Sequence, residues 1–165
     1  MSDEIGQRGE ALFFALITHP YGKEEPLFRP KFLGDKWPTV DYLVELIGAG
    51  RKTPYFFAQV RTTRNGYAKS GRLRISVSQS DMKKLAFYPA PTYIIGIDDA
   101  LDYVGLPRGY IVSANGEWLK NLSSLITDFP INRANQYALW KEVKDFWSGV
   151  DFRDKASKFV DEQWR

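Results

Sequence analysis

Apolar and polar positions divide this chain into segments of different period. From Glu4 to Thr18, Ile5, Leu12, Phe13, Leu16 and Ile17 form one stripe at helical spacing. Gly6 and Gly9 lie inside that helix, each costing about 1 kcal/mol relative to Ala, which points to close packing of another backbone. His19-Pro20-Tyr21-Gly22 ends it, and Leu27 to Leu33 reads as a first strand, followed by a loop from Gly34 to Pro38. Val40 to Ile47 (VDYLVELI) reads as a second strand and Tyr55 to Thr62 (YFFAQVRT) as a third. The turn residues Gly48 to Thr53 join these two as a hairpin. Asn65-Gly66 and Ser70-Gly71 punctuate a polar, basic loop. Arg72 to Ser78 then alternates, with Leu73, Ile75 and Val77 on one face and Arg72, Arg74, Ser76 and Ser78 on the other, as in a half-buried strand.

Ser80-Asp81 is placed to cap a short helix running through Phe87. Thr92 to Ile97 (TYIIGI) is a near-continuous apolar run, the pattern of a strand buried on both faces, and Tyr110 to Ser113 reads as a shorter strand. Trp118 to Ile126 has helical spacing, as do Leu139, Trp140, Val143, Phe146 and Trp147. A last helix is expected through Phe152, Ala156, Phe159 and Val160, supported by Asp151–Lys155 and Asp154–Lys158 pairs. The order of elements predicts an α/β domain with a mixed central β-sheet flanked by helices. The 165 residues contain no repeat and no long linker, so one domain is expected, with a core over about residues 4–115 and a C-terminal helical extension over about 116–165.

Composition narrows the function classes. Apolar residues make up 44% and charged residues 26%, ordinary for a folded soluble domain and unlike a disordered tail. No apolar run is long enough to span a membrane, and Met1-Ser2-Asp3-Glu4 lacks the basic and apolar regions of a secretory signal, so a cytoplasmic protein is expected. With no Cys, disulfides, thiolate zinc sites and Cys nucleophiles are excluded. The one His, His19, excludes multi-histidine metal sites, so a metal would need oxygen ligands, as Mg²⁺, Mn²⁺ or Ca²⁺ accept. The net charge of +3 is unevenly spread: residues 51–84 carry nine basic groups against Asp81 alone. Such a stretch is either a solvated face or the footprint of a contact with phosphates.

Candidate chemistry lies where polar residues interrupt apolar strands. Gln59 and Arg61 are two apart near the end of the third strand and so share a face, among Phe56, Phe57, Ala58 and Val60. Asp41 starts the second strand, and a hairpin sets the start of one strand beside the end of the next. Asp41 is therefore expected near Gln59 and Arg61. Glu10 stands one turn from Phe13 and two from Ile17, at the edge of the helix stripe. Two carboxylates, an amide oxygen and a cation at a sheet end suit an oxygen-ligated metal and a phosphodiester.

The order Arg8-Gly9-Glu10, Asp41 and Gln59-Val60-Arg61 resembles the PD-(D/E)XK restriction-endonuclease-like superfamily. Within it, the chain is most similar to a bacterial domain-of-unknown-function family that usually has a (Q/E)-x-K third motif. Ser76-Val77-Ser78, Asp81 to Leu85 and Pro91 to Asp98 share the likeness, which covers about residues 6–115. The resemblance implies a Mg²⁺- or Mn²⁺-dependent nuclease site with Glu10, Asp41, Gln59 and Arg61 as catalytic residues, the first three holding metal. Arg64, Lys69, Arg72 and Arg74 are expected to flank that site and contact the phosphates of DNA or RNA.

Two positions depart from the family pattern. Arg61 stands where the family has lysine, keeping the charge but never deprotonating, and Gln59 offers one neutral oxygen where a carboxylate would bind metal more tightly. These departures leave open a catalytically weakened module that binds nucleic acid or a partner protein. A third reading is an interaction protein using its aromatic C-terminal helices to form a homodimer or dock on another subunit. Residue by residue, Glu10 reads alternatively as a solvated helix-edge group and Asp41 as a partner for backbone donors. Gln59 and Arg61 read alternatively as an internal polar set with Asp41, and Glu45, on the face of Asp41, as the partner of Arg61. His19 reads as a surface or cap residue.

Overall fold

Five strands lie side by side in chain order in the computed structural model: β1 (Phe28–Phe32), β2 (Tyr42–Leu46), β3 (Tyr55–Thr63), β4 (Thr92–Asp98) and β5 (Arg108–Ser113). The structure describes residues 3–50, 52–100, 107–116 and 121–150, together with 158, 159 and 163. The β1–β2, β2–β3 and β4–β5 pairs are antiparallel and β3–β4 is parallel, so the sheet is mixed. Helices α1 (Asp3–Ile17), α2 (Gln79–Ala86) and α3 (Arg133–Ser148) flank it.

Every residue of β4 is buried, as its unbroken apolar run requires. Its two faces are covered by different segments. Thr62, Ile97 and Gly109 are cross-strand neighbours and point to one face, where α1 packs: a Cβ on Gly109 would come within 2.9 Å of Leu16. Gly96 points to the other face, beneath Leu73, Ile75 and Leu125. The stripe of α3 is core in part: Leu139, Val143 and Trp147 are buried and Trp140 is half-buried, whereas Phe146 is exposed. Trp140 Nε1 donates to Ile47 O at 3.0 Å and Trp147 Nε1 to Tyr55 O at 2.7 Å, fixing the helix across the turn end of the β2–β3 hairpin.

Three elements differ from the sequence expectation. Leu73, Ile75 and Val77 are buried in strict alternation, yet the segment makes only isolated bridges, Leu73 with Leu125 and Val77 with Leu122. Leu122 and Leu125 therefore come from an extended stretch and not from the helix expected over Trp118 to Ile126, whose first residues lie outside the described ones. A three-residue spacing serves an irregular chain that dips twice into a core as well as it serves a helix. The cap of α2 is Ser78, whose Oγ accepts from Asp81 N at 3.1 Å, in place of Ser80. The helix expected through Phe152 to Val160 falls almost wholly outside the described residues; Phe159 is exposed. Among the described residues no helix is long and apolar enough to cross a membrane.

Candidate functional site

The site begins where β2 and β3 part. The ladder pairs Tyr42 with Ala58, and Asp41 N donates one further bond to Ala58 O at 2.9 Å. The next donor of β3, Val60 N, has no strand beside it and is taken by Asp41 Oδ2 at 2.6 Å. A carboxylate thus replaces a backbone carbonyl at the point of divergence. Asp41 O accepts from Leu33 N at 2.9 Å, closing a loop over residues 33–41. Asp41 therefore satisfies a backbone donor, as one reading of it held, with a single oxygen; Oδ1 is left for the space beyond. Thr39 has a φ of 68°, a left-handed conformation unfavourable for a β-branched residue, held next to this carboxylate.

Glu10 arrives by close packing. An ideal Cβ on Gly9 would lie 1.6 Å from Thr62 Oγ1, so only glycine lets α1 lie this close to β3. Tyr42 OH donates to Glu10 O at 3.1 Å, and its ring meets Phe13 edge-on at 5.2 Å. Gln59 and Arg61 alternate on β3 with Val60 and Thr62, as the strand period demands.

Glu10, Asp41, Gln59 and Arg61 line one cleft of about 810 Å³ at the edge of the sheet. Asp35 and Asp81 line it as well; neither is among the site residues expected from the sequence. Burial, then the charges of Asp41 and Asp35, raise the pKa of Glu10. Burial also raises that of Asp41, against the Val60 N–H bond and the Arg61 charge, which lower it. The Tyr42 hydroxyl is pushed up to about 12, by burial and by Glu10 and Asp41. Arg61 Nη2 reaches Asp81 at 3.7 Å and makes no direct ion pair with Asp41. Glu45 is not its partner, being held by Lys31 at 2.7 Å and Arg29 at 3.6 Å. Gln59 Oε1 and Arg61 Nε are buried without a hydrogen-bond partner.

The cations expected to flank the cleft do not line it. Arg64 pairs with Asp99 at 3.2 Å, and Arg8 meets the same buried carboxylate at 2.8 Å. Arg72 donates to Ser124 Oγ and Ser124 O, both at 2.9 Å, and Arg74 to Tyr67 O at 3.2 Å. Lys69 is exposed in the intervening loop. These arginines fasten the crossover between β3 and β4, because the chain turns back over the sheet directly after Thr63. His19 is half-buried and meets Tyr21 edge-on at 5.0 Å, away from the cleft.

Glu10, Asp41 and the unpartnered Gln59 Oε1 are hard oxygen donors, a set that fits Mg²⁺ or Mn²⁺. Mg²⁺ is commonly held by one or two carboxylates and keeps several waters. Among the described residues no group of three or more Asp, Glu and His side chains is placed to hold a metal, so the four carboxylates of the cleft do not gather into one ligand set and the amide oxygen of Gln59 is part of the donor set. Comparison of the chain with protein-family models, with curated proteins and with solved structures gives no significant match.

Proposed function

We propose that this protein is a divalent-metal-dependent phosphodiesterase cutting DNA or RNA on a restriction-endonuclease-like scaffold. The observation that carries the reading is the meeting of Glu10, Asp41 and the unpartnered Gln59 Oε1 with Arg61 in one cleft. The resemblance of the sequence in the order of these residues adds to it. Glu10, Asp41 and Gln59 would hold the ion, which when bound supplies polarisation of the phosphate and acidification of a water. Arg61 contributes fixed positive charge toward the phosphate oxygens as they gain charge. The raised pKa values of Glu10 and Asp41 make ion binding weaken as pH falls, since both groups must be ionised to ligate.

A second reading, a catalytically weakened module, draws support from the commitment of Asp41 Oδ2 to Val60 and from the neutral Gln59. A cleavage assay with Mg²⁺ and Mn²⁺, on single- and double-stranded DNA and RNA, separates the two. Wild type is compared with Asp41→Ala and with Asp41→Asn, which keeps an acceptor for Val60 N–H. The nuclease reading expects metal-dependent cleavage that both variants lose by a factor on the order of 100 or more while remaining folded. No cleavage by wild type with either ion, or equal cleavage by all three proteins, overturns it.

A further inference from the structure

The described lining of the cleft is poor in cations and includes one aromatic ring, Phe32. Among the described residues four carboxylates line it (Glu10, Asp35, Asp41 and Asp81) against one cation, Arg61; Lys84 is held by Asp81 at 3.7 Å, and the nearby arginines are tied to Asp99, Ser124 and Tyr67. Recognition of a duplex through its backbone relies on several Lys and Arg side chains neutralising phosphates, and the described lining of this cleft does not present them. One wall presents apolar surface in their place. Phe32, at the end of β1, lines the cleft with 57% of its surface exposed. Its ring leans on Tyr42 at 5.4 Å, which fixes its position and leaves its other side open. Beyond the Gly34–Lys36 turn and outside the cleft lining, Trp37 rests on Phe57 at 5.6 Å. The loop carrying these residues is closed by Leu33 N to Asp41 O, and Tyr88 OH donates to Pro38 O at 2.5 Å, so the wall is anchored at both ends.

We infer that Phe32 is a stacking platform for an unpaired nucleobase, so that the substrate of this cleft is single-stranded nucleic acid or an unpaired segment. The inference rests on the phosphodiesterase reading for the placement of the strand, with the phosphate next to the stacked base directed at Glu10 and Asp41. An aromatic face accepts any base and needs no cations, so affinity comes from stacking where the charge of the cleft works against a polyanion.

The test is an anisotropy titration of short single-stranded DNA and RNA, and of the matching duplexes, in Ca²⁺, with wild type, Phe32→Ala and Phe32→Tyr. One base in each strand is a fluorescent adenine analogue whose emission reports stacking. Phe32 is largely exposed, so Phe32→Ala is expected to fold, and a thermal melt confirms it. The expected result is tighter binding of single strands than of duplexes. Phe32→Ala should weaken single-strand binding by on the order of tenfold and abolish the stacking signal, with Phe32→Tyr restoring both. The DNA and RNA arms decide which strand is preferred. Tighter binding of duplex, binding of neither form, or single-strand binding unchanged in Phe32→Ala overturns the inference. Metal-dependent cleavage that needs Asp41, with Phe32→Ala silent, would leave the enzyme and remove the platform. Stacking that needs Phe32, without cleavage, would do the reverse.

Discussion

Arg61 lies between two carboxylates, 3.7 Å from Asp81 and lowering the pKa of Asp41 without touching it. Its side chain is 35% exposed, so it is a partly solvated charge and not half of a buried ion pair. Arg61→Ala is therefore expected to change unfolding free energy by less than about 1 kcal/mol, where a sealed pair with Asp41 would cost about 3–5 kcal/mol. The same variant should cut metal-dependent cleavage by a factor on the order of 100, and Arg61→Lys should keep or raise it. Denaturant melts and single-turnover cleavage on the three proteins measure both effects; large instability with unchanged cleavage would contradict the assignment. Asp41 adds a pH dependence. Its pKa is raised from 3.8, so the folded protein holds this proton more tightly than the unfolded chain does. The resulting stabilisation is complete below the unfolded value and is lost as pH rises through the folded one. Asp41→Asn is thus expected to melt higher than wild type at neutral pH, with the difference shrinking as the pH falls toward 3.8. A variant that melts lower at neutral pH would show that the ionised carboxylate stabilises the fold.

At the scale of the elements, α1 carries two glycines with opposite roles. A Cβ on Gly6 meets nothing within 4 Å, so Gly6→Ala should stabilise by about 0.5–1 kcal/mol through helix propensity. Gly9→Ala drives a methyl into Thr62; it should destabilise by about 1–3 kcal/mol and lower cleavage by displacing Glu10. Thermal melts of the two variants check the pair. The sequence showed that some glycine of this helix marks a close approach, but not which one, because the answer depends on where Thr62 lies. The meeting of Asp41 with Gln59 and Arg61 was legible for a different reason. Strand alternation and hairpin connection are local rules, and together they leave little freedom. The protein partners of Arg64, Arg72 and Arg74 were not legible, since charge along a chain says nothing of what it meets. Asp99 and Ser124 come from distant segments, and they hold Arg64 and Arg72. The bridges of Leu73 and Val77 with Leu125 and Leu122 were hidden in the same way, each half having a plausible local pattern of its own.

Across the whole molecule, Asp99 ties α1 to the end of β3 through Arg8 and Arg64, with its side chain 3% exposed. The arginines are half in water and the carboxylate is not, so either cation can be lost while the other still serves it. Arg8→Ala and Arg64→Ala are each expected to be mild. The double variant should lose more stability than the two losses added together, since it leaves a buried carboxylate with no cation. Additive losses in a double-mutant cycle would contradict this. The parallel pairing of β3 with β4 also carries a consequence in time. Residues 47–54 connect β2 to β3, whereas residues 64–91 must be looped out before β4 can lie beside β3. Closing the longer connection costs about 1 kcal/mol more in chain entropy, and contacts remote along the chain form late in folding. The β2–β3 hairpin, which already carries Asp41, Gln59 and Arg61, is therefore expected to acquire amide protection before β4 does in a pulse-labelled hydrogen-exchange experiment. Asp41, Gln59 and Arg61 would then be in register before β4 has arrived beside β3.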